Sequence, residues 1–152
     1  MDWHLDSLLN LPNVTVETCT QEAEQVFLQI DLLNAAATCP HCQTRSEKIH
    51  QNRPILVRDL AIFGRPVYLQ VPRRQFYCRQ CQHYFTERLE FVDWERRYTQ
   101  RYEEYVYQRV QASNIEQVGR EESLSWDQVN GIFTYKFNLK KSELGTSKAL
   151  MH

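Results

Sequence analysis

Four of the five cysteines in this chain fall in two C-x-x-C pairs, Cys39 with Cys42 and Cys78 with Cys81, with 35 residues between the pairs. Each pair bends the backbone into a knuckle that aims two sulfurs at one point. Two knuckles complete the tetrahedral shell that zinc takes in closed structural sites. Four protein ligands leave no open position for a substrate, so the spacing predicts one structural zinc ion and argues against metal catalysis. The gap has room for the two or three strands of a zinc ribbon. A thioredoxin-like redox pair needs its C-x-x-C at a helix start in a βαβ unit, and nothing here alternates strand with helix. A four-cysteine iron–sulfur cluster is the chemical alternative. His41 and His83 flank the knuckles; either could substitute for a cysteine ligand, but exposed knuckle positions are the expectation. The fifth cysteine, Cys19, lies in a β-rich run and is expected to be a buried structural thiol.

The opening MDWHLDSLL has no basic segment and no long apolar run, so it does not read as a signal peptide. No stretch approaches the roughly 18 apolar residues of a membrane span. The expected location is the cytoplasm. There thiols stay reduced, and C-x-x-C pairs read as metal ligands before disulfides.

A net charge of −1 conceals a strong asymmetry. Residues 1–38 carry six acids and no Lys or Arg; residues 39–88 carry nine bases against three acids; residues 89–152 carry nine bases and ten acids. The positive charge is therefore concentrated in the cysteine-bounded segment, which suits an anionic partner. Eight of those nine bases are arginine, whose planar fork matches a phosphate with two hydrogen bonds. Arg58, Arg65, Arg73 and Arg74 are the expected phosphate contacts. The competing reading is that the acidic head neutralises the basic middle.

The predicted fold class is α+β. NVTVETC (13–19) and QVFLQIDLL (25–33) read as a β-hairpin, preceded by a short helix that Pro12 ends. In RPVYLQV, Val67, Leu69 and Val71 alternate with Tyr68 and Gln70, the period of a half-buried strand, after a turn at Phe63-Gly64. From residue 99 the period becomes helical. Thr99 can cap a helix with the apolar stripe Tyr102, Tyr105, Val106 and Val110. SNIE (113–116) and SWDQ (125–128) read as two capping boxes, with Ser113 and Ser125 at the caps. The second opens a helix with Trp126, Val129, Ile132, Phe133 and Phe137 on one side. That spacing is a helix-turn-helix. On the polar side Gln128, Asn130, Thr134 and Tyr135 can meet base edges and Lys136 a phosphate. The expected segments are a hairpin region 1–38, a zinc ribbon 39–88, a helix-turn-helix 89–141 and a frayed tail 142–152.

The order of these pieces resembles a known family. CPHCQTRSEKIH, VRDLAIFGRPVYLQVPRRQFYCRQCQHYFTE, RRYTQRYEEYV and SLSWDQVNGIF, taken in sequence, are similar to the N-terminal half of insertion-sequence transposases of the "ISL-three" family. The resemblance implies a four-cysteine zinc finger on Cys39, Cys42, Cys78 and Cys81, a recognition helix over about 126–138, and binding of double-stranded DNA at the element's terminal inverted repeats. It also implies an Asp-Asp-Glu catalytic domain after this region. The chain ends near that point, so the expectation is a truncated transposase head without enzymatic activity, acting alone, as a homodimer, or beside the full-length enzyme. Gln75, at a position often basic in the family, and Gly119, where a small Ala is usual, depart from the pattern. The alternatives are a standalone transcriptional regulator and a zinc-stabilised protein-interaction module.

Overall fold

Val67, Leu69 and Val71 are completely buried, as their alternation predicts. Their strand is central to a sheet that joins distant parts of the chain. The computed structural model describes residues 3–150, with side chains to residue 145. It has two compact units, Met1–Thr99 and Gln100–His152.

The first unit opens with helix α1 (Trp3–Leu9), ended by Asn10 at φ 50°. Asp6 ties α1 to the first strand: Oδ1 accepts from Val16 N at 2.6 Å and Oδ2 from the Thr15 hydroxyl at 2.8 Å. Strands β1 (Val14–Glu22) and β2 (Gln25–Leu32) form the expected antiparallel hairpin. Two short strands follow, β3 (Ala37–Thr38) and β4 (Arg45–Ser46), which pair around the first knuckle. Then come β5 (Ile49–Asn52), β6 (Ile55–Ile62), β7 (Arg65–Val71), β8 (Arg74–Cys78) and β9 (His83–Thr86).

These strands form three sheets. The largest has the order β1-β2-β7-β6, with β2 and β7 parallel. The ribbon sheet has the order β5-β8-β9, and β3-β4 stands as a pair. The chain thus leaves the ribbon after Asn52, contributes β6 and β7 to the hairpin's sheet, and returns at Arg74. The expected boundary at 38/39 is therefore not a break in packing. Val57, Val67, Leu69 and Val71 share one core with Val14, Val16, Val26, Leu28 and Ile30. Neither hairpin alone could bury its apolar face. Phe63 (φ 50°) and Gly64 (φ 75°) make the turn between β6 and β7, the positive-φ pair that matches strand twist. Cys19 corrects an expectation. It sits on the part of β1 that faces solvent and is exposed.

The second unit is helical: α2 (Gln100–Ala112), α3 (Ile115–Glu122) and α4 (Trp126–Leu150). The tail expected to fray from residue 142 instead continues α4 to Leu150; residues 151–152 lie outside the described residues. The α2 stripe is Tyr102, Val106 and Tyr107, with Glu103 buried beside them and Tyr105 40% exposed. Tyr107 replaces Tyr105 because its ring stacks on Phe133 of α4, with centroids 5.0 Å apart. On α4, Val129 and Ile132 are fully buried, while Trp126 and Phe137 are about half exposed at 53% and 49%. The first cap lies one residue later than SNIE suggests. Asn114 Oδ1 accepts from Gln117 N at 2.8 Å, and the Ser113 hydroxyl turns back to Arg109 O. The second box forms as read: Gln128 N donates to Ser125 Oγ at 3.1 Å, and Ser125 N to Gln128 Oε1 at 2.9 Å.

Gly119 explains the tightness of the turn from α3 to α4. Ser123 takes φ 55°, and Leu124 N donates to Gly119 O at 2.9 Å. A Cβ at 119 would stand 2.9 Å from the backbone oxygen of Leu124. Gly119→Ala gains about 1 kcal/mol of helix propensity but overpacks against backbone, at about 1–3 kcal/mol. The expected net result is a loss of about 1 kcal/mol in urea unfolding followed by helical circular dichroism. A stabilised variant would show that the turn yields.

Candidate metal centre and nucleic-acid interface

The two knuckles are built alike. The residue after the second cysteine of each, Gln43 and Gln82, takes a positive φ of 63° and 57°. Gln43 N donates to Cys39 O at 2.9 Å, and Cys39 N to Thr44 O at 2.9 Å. These turns bring all four Sγ atoms within 4.8 Å of one another. Cys39 and Cys81 sulfurs are 3.6 Å apart, Cys42 and Cys78 sulfurs 3.4 Å. Tetrahedral zinc with Zn–S near 2.3 Å sets sulfurs about 3.8 Å apart, so the donor set and its size fit that ion. Cys39 and Cys78 are buried, with Phe76 and Phe85 stacked beneath them at 5.7 Å.

Protons are held unequally within the cluster. The Cys42 thiol is lowered to about 6, chiefly by its side-chain hydrogen bond with Thr44, whose backbone adds to the effect. Cys81 is pushed up to about 12, by burial first and then by the hydrogen bond with Cys39. A zinc ion held by these four thiolates would supply a crosslink, fastening the β3-β4 turn to the end of β8 and the start of β9. His41 and His83 are exposed beside the centre, as expected, with rings 5.6 Å apart. Among the described residues, no other group of three or more potential metal ligands is found.

The expected DNA contacts divide by burial. Arg65 is exposed, and Arg73 is half-buried. Arg58 and Arg74 are turned inward, 7% and 8% exposed. Arg58 lies over the Tyr68 ring at 5.8 Å. Arg74 forks onto Glu87: its Nε donates to Oε2 at 2.5 Å and its Nη2 to Oε1 at 3.0 Å. Nη2 also donates to Asn34 O at 2.7 Å. This guanidinium joins the ribbon to the end of β2's loop, so its expected phosphate role gives way to a structural one. A strand sends neighbouring side chains to opposite faces. Arg74 has the parity of Phe76 and Cys78, which is the signal in the sequence that one arginine of the Arg73-Arg74 pair faces inward.

On α4, Gln128, Gly131, Thr134, Asn138 and Lys141 are exposed at spacings of three and four, one face of the helix. Asn130 and Tyr135 are half-buried beside it. Lys136 points elsewhere, 12% exposed and 3.7 Å from Glu104 of α2. Lys140 reaches the same carboxylate at 3.0 Å. Burial works to raise the Glu104 pKa, but hydrogen bonds from Lys140 and Gln108 outweigh it and the net shift is downward. The clamp therefore contributes above the unfolded carboxylate's pKa and is lost as pH falls through the lowered folded value. The aromatic platform at Trp94, with Arg73 and Arg88 at 5.4 and 4.7 Å from its centroid, carries no spacing signal in the sequence.

No helix among the described residues is long and apolar enough to cross a membrane. No solved structure matches the chain. Residues 35–81 match the zinc-finger of transposase IS204/IS1001/IS1096/IS1165, and residues 87–135 the helix-turn-helix domain of transposase family ISL3. The transposase for insertion sequence element IS1001 of Bordetella parapertussis is 37% identical over 91 residues, covering 60% of this chain. That stretch spans 22% of the relative's length. Residues 35–81 and 87–135 are thus similar, in that order, to the zinc finger and the helix-turn-helix domain of ISL3-family transposases.

Proposed function

We propose that this chain binds duplex DNA at the terminal inverted repeats of an insertion element, with α4 laid in the major groove. The observation that carries this reading is the exposed polar face at the start of the second helix of the α3–turn–α4 motif, where such motifs place base contacts. Thr134 and Asn130 are the expected base readers. Gln128 contributes through the cap it forms with Ser125 as well as through its exposed position. Arg65 and Arg73 hold phosphates, and zinc fixes the shape of the ribbon that presents the basic segment. The activity proposed for this chain is DNA recognition, alone or alongside an intact transposase.

Footprinting on the ends of the parent element tests the reading. The wild-type chain should protect the inverted repeats. Thr134→Asp, on the exposed face, should erode discrimination between the repeat and a scrambled duplex by roughly 1–3 kcal/mol per lost base contact, with helix content unchanged. Equal protection of repeat and scrambled duplex by the wild type would favour a non-specific binder. Protection of neither would favour the protein-interaction module.

A further inference from the structure

A concave surface on the first unit gathers three arginines and no carboxylate. Arg53, Arg73 and Arg97 line a solvent-open cavity of about 440 Å³ with the neutral side chains of Gln51, Gln75 and Thr86. Hydrogen bonds hold the backbone of each arginine. Arg53 N donates to Arg73 O at 3.0 Å, Arg73 N to Asn52 Oδ1 at 3.1 Å, and Arg58 N to Arg97 O at 3.0 Å. Arg53 and Arg97 are exposed and Arg73 half-buried over Trp94. Among the described residues none of the three is tied to a carboxylate, whereas nearby Arg74 is matched by Glu87. Arg73 and Arg97 also border a neighbouring cavity with Glu87, Asp93 and Glu95, but no carboxylate lines this cleft, and like charges there repel one another until an anion binds.

We propose that the Arg53–Arg73–Arg97 cleft is a binding site for a backbone phosphate of duplex DNA. This deepens the proposed function and rests on it. Fixed backbones reduce the ordering cost of each guanidinium. The Trp94 ring, against which Arg73 and Arg88 lie, directs the Arg73 head while sparing its donors, because a cation over a ring face uses no hydrogen bond. The cleft is lined by Pro54 and Ile55 as well as by polar donors, but no aromatic ring lines it on which an unstacked base could stack, which favours phosphate over nucleobase. Such a contact carries no sequence information and sets orientation on the duplex.

The test is the slope of log K against log salt for the zinc-loaded full chain, on a repeat duplex and on a scrambled one. Each phosphate contact contributes about 0.9 to that slope. The double variant Arg53→Gln with Arg97→Gln should flatten it by up to about 0.9, the share of one phosphate, and weaken both duplexes by the same factor. Gln75→Arg, which adds a charge to the same cleft, should steepen it. Arg45→Gln, a single charge loss on an exposed side chain outside the cleft, should change it less than either cleft variant. Salt-dependent wild-type binding with slopes unaltered by the cleft variants would overturn the site and leave the DNA-binding reading standing. Absence of any wild-type binding would overturn both. Zinc content and circular dichroism confirm that the variants are folded, and Gln75→Arg keeps the test decisive if the double variant is not.

Discussion

Cys78→Ser should abolish stoichiometric zinc binding and unfold the ribbon. Cys78 is 1% exposed at the end of β8, where its sulfur faces that of Cys42 at 3.4 Å. A serine hydroxyl does not replace a thiolate toward zinc, and three ligands do not close the shell. Structural zinc contributes about 10–16 kcal/mol in small zinc-finger peptides. The ribbon has little else to draw on: its core is the Phe76–Phe85 pair and the cysteines themselves. Hydrogen exchange should therefore show lost protection in β5, β8 and β9, while α2, α3 and α4, a separate compact unit, stay protected. Cys19→Ser, at an exposed site, should change neither metal content nor protection. Metal analysis showing one zinc per chain in Cys78→Ser would remove the ligand assignment.

Glu87→Ala should cost the first unit about 3–5 kcal/mol, the range for removing one partner of a buried ion pair. The Arg74 and Glu87 side chains are 10% and 8% exposed, and the carboxylate accepts from Nε, Nη2 and the Arg74 backbone N–H. Alanine leaves a guanidinium inside the protein with one remaining bond, to Asn34 O. Arg73→Ala, one residue away and half-buried over Trp94 without a carboxylate partner, should cost about 1 kcal/mol, the scale of a partly exposed cation–π contact. Chemical denaturation of both variants with zinc present measures the contrast. Similar losses in the two would mean that the burial of Arg74 is not decisive. The contrast also governs the choice of DNA-binding variants, since a change at Arg74 would lower binding by loosening the fold.

What the sequence made legible is what local chemistry fixes. The cysteine spacing located the metal centre, the alternation at 67–71 located a core strand, and Ser125 with Gln128 located the start of α4. What it concealed depends on contacts between distant segments. The parallel pairing of β2 with β7 joins residues about forty apart and leaves no local mark, so β6 and β7 were read as ribbon. Arginine clustering marks charge but not direction; Arg58, Arg74 and Lys136 turn inward because Tyr68, Glu87 and Glu104 wait for them. Ser113 and Asn114 compete for one cap, and only the backbone geometry at Asn114, φ −161° and ψ 171°, decides between them.

The central claim is that this chain is a duplex DNA binder with a preference for the element's ends. Its most direct test is a fluorescence-anisotropy titration of the zinc-loaded wild-type chain against an inverted-repeat duplex and a scrambled duplex of equal length, at several salt concentrations. The account predicts binding to both that weakens steeply with salt, since neutralised phosphates release counterions, and tighter binding to the repeat at every salt concentration. Binding that does not respond to salt, or no binding to either duplex, would contradict it.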